Sequence, residues 1–137
     1  AELVAGGVAD RAGDNASGLF IRPTIFSNVP QTARIVQEEI FGPVLSCSPF
    51  STAEEAVALA NDTTYGLAAG VYTGNVTLAH RMAERLDAGM VFVNRYGCYG
   101  LSSPFGGFKE SGWGKEMAIH SLSSYTRTKG VWVYFGD

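Results

Sequence analysis

Apolar and polar positions change period several times along the 137 residues, and each change marks an element. Leu3 to Ala5 is a short apolar run cut off by Gly6-Gly7, the end of a strand. Ala9 to Ser17 is small and polar, a surface loop. Leu19 to Phe26 alternates apolar and polar side chains around Pro23. A proline cannot donate to a ladder, so an edge strand or an extended segment is predicted there. Gln31 to Gln37 follows Pro30 and predicts a short helix with the proline in its first turn, where the missing N–H is harmless.

Downstream the pattern is regular. Val44 to Phe50 reads as a strand, and Ser51-Thr52-Ala53-Glu54 as the capping box of a helix ending near Asn61-Asp62. That helix turns Ala56, Val57, Leu59 and Ala60 inward. Leu67 to Tyr72 is a small-residue strand after Tyr65-Gly66. Asn75 then caps a second helix with Leu78, Ala79, Met82 and Leu86 on one face. After Gly89, Met90 to Val93 is an almost continuous apolar strand. Three strands and two helices make a βαβαβ run. Right-handed crossovers then predict an α/β fold, a parallel sheet with helices on both faces. A glycine-rich stretch from Tyr96 to Gly114 follows, then a predicted last helix over Lys115 to Leu122. The terminal strand Gly130 to Phe135 is apolar on both faces and has no partner inside the chain.

The length corresponds to one domain, enough to bury a sizeable core. A composition 46% hydrophobic and 17% charged reads as soluble and globular rather than disordered. A net charge of −3 with dispersed Lys and Arg offers no footprint for nucleic acid. No apolar run reaches membrane-spanning length and no signal-peptide pattern is present. Cys47 and Cys98 stand far apart in no metal-ligand spacing, which favours free thiols in a reducing, cytoplasmic compartment, with one disulfide left open. The apolar pattern starts almost at residue 1, so the chain reads as beginning in mid-protein.

Candidate chemistry centres on Glu38-Glu39-Ile40-Phe41-Gly42-Pro43-Val44. Pro43 fixes its own φ and restricts Gly42, so the acidic and aromatic residues are held at a corner before a strand. Carboxylates there can accept hydrogen bonds from a bound sugar, and the ring can pack a flat heterocycle. The plainer reading is a charged turn with Phe41 in the core. A second candidate is the loop from Asn94 to Gly114, expected beyond the carboxyl ends of the strands, where α/β sheets bind ligands. Its Phe105-Gly106-Gly107-Phe108 permits close backbone approach, with Phe105 as a wall; the plainer reading is a buried turn. No phosphate-loop pattern occurs. His80 and His120 lack partners at metal spacing and read as structural. Cys98, between Tyr96 and Tyr99, shows no accompanying base or oxyanion hole.

Four segments, in order, resemble the NAD(P)-dependent aldehyde dehydrogenase superfamily. They are Gly18-Leu19-Phe20-Ile21-Arg22-Pro23-Thr24-Ile25-Phe26, the Glu38 to Val44 segment, Asn61-Asp62-Thr63-Thr64-Tyr65-Gly66-Leu67-Ala68-Ala69, and Pro104-Phe105-Gly106-Gly107-Phe108-Lys109-Glu110-Ser111-Gly112. The resemblance covers essentially the whole chain. It implies that Glu39 accepts hydrogen bonds from the nicotinamide ribose of NAD or NADP and that Phe41 packs beside that ribose. It implies that Leu67 and Phe105 line the nicotinamide and aldehyde pocket. Glu116 matches a glutamate at the inner end of the site, linked to a proton path; a solvated first-turn glutamate is its plainer reading. The family oxidises aldehydes to carboxylic acids through a cysteine thiohemiacetal and thioester.

In that family the nucleophile, its base and the dinucleotide-binding strands lie upstream of the Glu38 to Val44 segment, and neither cysteine here occupies their place. The resemblance therefore implies a carboxy-terminal portion. Residues 1–122 form the second half of a catalytic domain, and residues 123–137 a terminal segment with an oligomerisation strand. The implied partners are a small aldehyde substrate and further copies in a homo-oligomer. The alternative is a non-catalytic module of the same family acting in self-association.

Overall fold

The structure, a computed structural model, describes residues 1–136. The chain forms two compact units, residues 1–64 and a second beginning at Tyr65. In the first, β1 (Glu2–Ala5), β2 (Thr24–Ser27) and β3 (Val44–Ser46) form one sheet in the order β1-β2-β3. β1 runs antiparallel and β3 parallel to β2. β2 is thus the central strand, not the expected edge. Pro23 lies one residue before it, and the first ladder donor is the Thr24 N–H, which bonds the Pro43 carbonyl at 2.9 Å. The proline therefore removes no ladder bond. β3 is shorter than the predicted run to Phe50. The pairing continues for one more residue, the Cys47 N–H reaching the Phe26 carbonyl and the Cys47 carbonyl accepting from the Val29 N–H at 3.1 Å, and it stops before Pro49, which has no N–H to donate.

Gly6 and Gly7 both take φ of 76°, and a side chain on Gly6 would lie 2.2 Å from the Pro23 carbonyl oxygen. The strand end predicted at this pair therefore exists because only glycine fits. The loop after it contains a single 3-10 turn, Gly13–Asn15, and is tied down by Asp10. Hydrogen bonds from the Asn15 side chain and the Ala12 N–H, then the Arg22 guanidinium at 3.7 Å, hold the Asp10 carboxyl below its ordinary value.

α1 covers only Arg34–Gln37, so Pro30 falls outside it. Its carbonyl instead accepts from the Ala33 N–H in a turn. α2 spans Ala53–Asn61. Its capping box sits one residue later than predicted. Thr52 Oγ1 accepts from the Glu55 N–H, and the Glu55 carboxylate accepts from the Ser51 N–H at 2.7 Å. Val57 is buried and Ala56 and Leu59 are half-buried, whereas Ala60 is exposed.

In the second unit β5 (Ala68–Val71) and β6 (Met90–Val93) pair in parallel around α3 (Val76–Arg85). This is the expected βαβ step. Asn75 caps α3, its Oδ1 accepting from the Leu78 N–H at 3.0 Å, and Ala79 and Leu86 are buried with Val71. An unforeseen ladder joins β4 (Tyr65–Gly66) antiparallel to β7 (Phe108–Lys109). The predicted helix over Lys115 to Leu122 begins late. Met117 and Ala118 have φ of 60° and 47°, which no right-handed helix can pass through. A 3-10 turn at Ile119–Ser121 leads into α4 (Leu122–Tyr125) instead. No strand forms over residues 130–135, and Val131, Trp132, Val133, Tyr134 and Phe135 are all exposed. A strand needs a neighbour's ladder, and the described residues provide none there.

The expected large core is also absent. Among the described residues the buried apolar side chains are Val29, Val57, Val71, Ala79 and Leu86. Two units of this size each bury a smaller fraction of their surface than one domain of the whole length would. No helix among the described residues is long and apolar enough to cross a membrane.

The most buried polar side chain, Thr24 at 3% exposure, joins β1 to β2. Its hydroxyl accepts from the Gly7 N–H at 2.9 Å and donates to the Arg22 carbonyl at 2.8 Å. Thr24→Val keeps the shape and removes both bonds, at a cost of about 0.5–1.5 kcal/mol for each. The expected outcome is faster hydrogen exchange at the Gly7 amide and a lower denaturation midpoint, with Thr24→Ser close to the parent.

Candidate functional site

The acidic corner begins where α1 ends. Arg34 and Glu38 are four residues apart, and the Arg34 Nε donates to the Glu38 carboxylate at 2.7 Å. This exposed pair adds little stability, but it separates the two glutamates chemically. Glu38 is engaged, whereas the Glu39 carboxylate makes no hydrogen bond among the described residues. Arg34, Ile35, Glu38, Glu39 and Ile40 line a shallow cavity of about 290 Å³. Two residues on, Phe41 has φ of 54° and is 93% exposed. The plainer reading, Phe41 as a core residue, is therefore incorrect. Its backbone is left-handed and its ring stands in solvent.

In the second unit the glycine-rich loop does not stay at the carboxyl ends of the strands as expected. Asn94 does lie there, just past β6, and its amide is spent on the chain. Its Oδ1 accepts from the Thr73 N–H and its Nδ2 donates to the Thr73 carbonyl. The Phe105 to Lys109 segment has run back to the amino ends. Phe108 pairs with Gly66, directly before β5, and Gly106 packs on Gly89, directly before β6. The physical cause is the β4–β7 ladder, which captures the loop.

A cavity of about 310 Å³ opens at this amino end. Leu67, Phe105, Gly106, Gly107, Lys115 and Glu116 are among its lining residues. Leu67, Phe105 and Glu116, separated widely in sequence, are thus brought together. Phe105 and Glu116 exchange both backbone hydrogen bonds, at 2.8 and 2.7 Å, so Glu116 belongs to an extended bridge and not to a first helical turn. Tyr99 stacks at a tilt on Phe105, with ring centres 5.4 Å apart.

Two wall residues carried no isolated signal in the sequence. Lys115 donates from Nζ to the Gly107 carbonyl at 2.6 Å and sits 4.7 Å above the Phe108 ring. Ser111 Oγ accepts from the Gly66 N–H at 3.0 Å. Neither bond could be foreseen without the fold of the Gly106-Gly107 turn. Cys47 and Cys98 are free and exposed, and His80 and His120 are exposed. Among the described residues no cluster of His, Cys, Asp and Glu could hold a metal ion.

The model of the aldehyde dehydrogenase family matches residues 1–131. The DhaS protein of Bacillus subtilis strain 168 is 50% identical over 121 residues, which are 88% of this chain and 24% of that protein. The AldA indole-3-acetaldehyde dehydrogenase of P. syringae, solved in complex with NAD+, superposes with a TM-score of 0.89 at 49% identity. The aldehyde dehydrogenase KauB of Pseudomonas aeruginosa does so at 0.88 and 48%. Each superposition covers 96% of this chain and 26% of the other. The chain thus spans about a quarter of the length of the proteins it resembles.

The cavity wall depends on a glycine contact that can be tested. A side chain on Gly89 would lie 1.9 Å from the Gly106 carbonyl oxygen, whereas one on Gly114 would meet nothing within 4 Å. Gly89→Ala therefore forces backbone apart, with a cost of about 1–3 kcal/mol or more. A clear drop in unfolding temperature is expected for Gly89→Ala and almost none for Gly114→Ala.

Proposed function

Because this chain belongs to the aldehyde dehydrogenase family, we propose that it is the part of an NAD- or NADP-dependent enzyme that holds the nicotinamide ribose and walls the aldehyde pocket. The reaction is oxidation of an aldehyde to a carboxylic acid. The observation carrying this reading is the chemistry of the corner. An unengaged Glu39 carboxylate stands beside a neutralised neighbour, and an aromatic ring two residues on stands in solvent on left-handed backbone. A ribose presents hydroxyl donors and a nicotinamide presents a flat face, and these two groups fit them.

When bound, the nicotinamide supplies the hydride acceptor. The chain's own residues bind and orient. Glu39 accepts from ribose hydroxyls, and a charged acceptor makes such bonds stronger than a neutral one does. Phe41 packs along the sugar. Leu67 and Phe105 form an apolar wall that limits water near the reacting carbon. Glu116 stands at the same wall, where its carboxylate can hold or pass a proton. In this reading residues 1–122 are the later half of a catalytic domain and residues 123–137 a terminal segment. The exposed apolar run at 131–135 supports pairing with another copy in a homo-oligomer. The exposed free thiols of Cys47 and Cys98 support a cytoplasmic setting.

Two outcomes test the reading. In the competent enzyme, Glu39→Gln raises the KM for the nucleotide about tenfold, the loss of one charged hydrogen-bond acceptor, whereas Glu38→Gln changes it little. Equal effects of the two substitutions on the nucleotide KM would remove Glu39 from its role. The 137 residues alone produce no NADH from aldehyde, because neither cysteine matches the place of the family's nucleophile. Turnover by this chain, abolished by Cys98→Ala, would overturn the assignment.

A further inference from the structure

From Glu39 to Phe41 the backbone makes no hydrogen bond among the described residues. Its course is therefore set by what holds the two ends. The downstream end is the Pro43 carbonyl, bound by the Thr24 N–H at 2.9 Å. The upstream end is α1, a single turn of four residues, too short to hold itself in water. What fixes it is side-chain chemistry. Gln37 Nε2 donates to the Gln31 carbonyl at 2.8 Å and to the Asp62 carbonyl at 2.9 Å. Gln31 Nε2 donates to the same Asp62 carbonyl at 2.8 Å and to the Leu59 carbonyl at 3.0 Å. Asp62 is the C-cap of α2. Its carbonyl oxygen thus accepts from both glutamine amides, one for each lone pair. Ser46 Oγ adds a bond from β3 to the Ile35 carbonyl at 3.1 Å.

We propose that Gln37, with Gln31, is a positioning residue for the nucleotide-holding corner, clamping α1 to the C-terminus of α2 so that Glu39 and Phe41 are presented in one geometry. This deepens the ribose-holding assignment and rests on it. Gln37 lies two residues from Glu39, and its amide is the last group before the free stretch that is tied to another element, since Glu38 bonds only Arg34 of α1 itself. Without it the Ser46–Ile35 bond is the one of these side-chain ties that still reaches α1, and the carboxylate samples positions in which it misses the sugar. The effect belongs to nucleotide binding, because the cavity lined by Leu67, Phe105 and Glu116 contains no residue of this junction.

The test is a double-mutant cycle in the competent enzyme. Gln37→Leu removes both donors at similar size, and Gln37→Lys restores an N–H donor toward the same carbonyls. For Gln37→Leu the nucleotide KM rises about tenfold with the aldehyde KM unchanged. Gln37→Lys recovers most of the loss, and Gln37→Leu adds no further rise in a Glu39→Gln background. A lowered unfolding temperature with an unaltered nucleotide KM would make the clamp purely structural and overturn the proposal, as would a full additional rise in the Glu39→Gln background. Should Gln37→Leu yield no soluble enzyme, Gln37→Asn, with its amide one carbon short, is judged by the same criteria. If Glu39→Gln itself leaves the nucleotide KM unaltered, the ribose-holding assignment fails. If Glu39→Gln raises it and Gln37→Leu does not, only the positioning role fails.

Discussion

The double acceptance at the Asp62 carbonyl is the constraint on which the geometry of the acidic corner in the first unit depends. A four-residue helix has too few internal bonds to persist, and a corner of three residues without backbone partners has none at all. Such a segment keeps one shape only when its ends are fixed to something stiffer. The stiff element is α2, whose N-terminus is closed by the Thr52–Glu55 box and whose C-terminus offers its last carbonyls to Gln31 and Gln37. Polar side chains here do what a hydrophobic core usually does. The reason lies in composition: the segment from Pro30 to Glu39 has few apolar residues to bury, and none of them is buried.

The second unit meets the same need by a different device. There the wall is fixed by backbone pressed on backbone. Gly66 approaches the Asp87 carbonyl, Gly89 the Gly106 carbonyl and Gly106 the Gly114 carbonyl, each too closely for any Cβ. Three close approaches, the two-residue β4–β7 ladder and the Phe105–Glu116 bridge stack the loop onto the amino ends of β5 and β6. Lys115 then covers the turn with an ion–carbonyl bond and an ammonium over the Phe108 ring. A wall built in this way is thin but has little freedom to shift.

This division explains what could be read from the sequence. Elements with a strong period and a cap were legible: α3 with Asn75, β5 and β6 as a parallel pair, and α2 within a residue. The acidic corner was legible as a corner because Gly42-Pro43 is local chemistry. Features that depend on two distant segments were not. β2 became central because Pro23 fell one residue outside the ladder, a shift no propensity can register. The helix over Lys115 to Leu122 was lost at its start because Glu116 pairs with Phe105, and tertiary pairing overrides a helical pattern. The cavity moved to the opposite end of the strands because β4 and β7, two residues each, are too short to carry any periodicity. The family resemblance compensated in part: it grouped Leu67, Phe105 and Glu116, which no spacing rule connects.

The placement of backbone strain follows the same map. Asn28 and Asn94 take positive φ, but asparagine tolerates it. The remaining non-glycine cases are Phe41, Lys109, Met117 and Ala118, each costing on the order of 1–2 kcal/mol. Phe41 is the tip of the acidic corner. Lys109 follows the Gly106-Gly107 turn, and Met117 and Ala118 follow Glu116. No such residue falls within the β5–α3–β6 step, where packing alone governs the chain. At Phe41 the strain coincides with a second unfavourable term, an aromatic ring left in water. A fold optimising only its own stability would turn that ring inward or place glycine there. That both costs persist at one residue, beside a carboxylate with no partner among the described residues, argues that the position is shaped by what it meets rather than by the sheet it precedes.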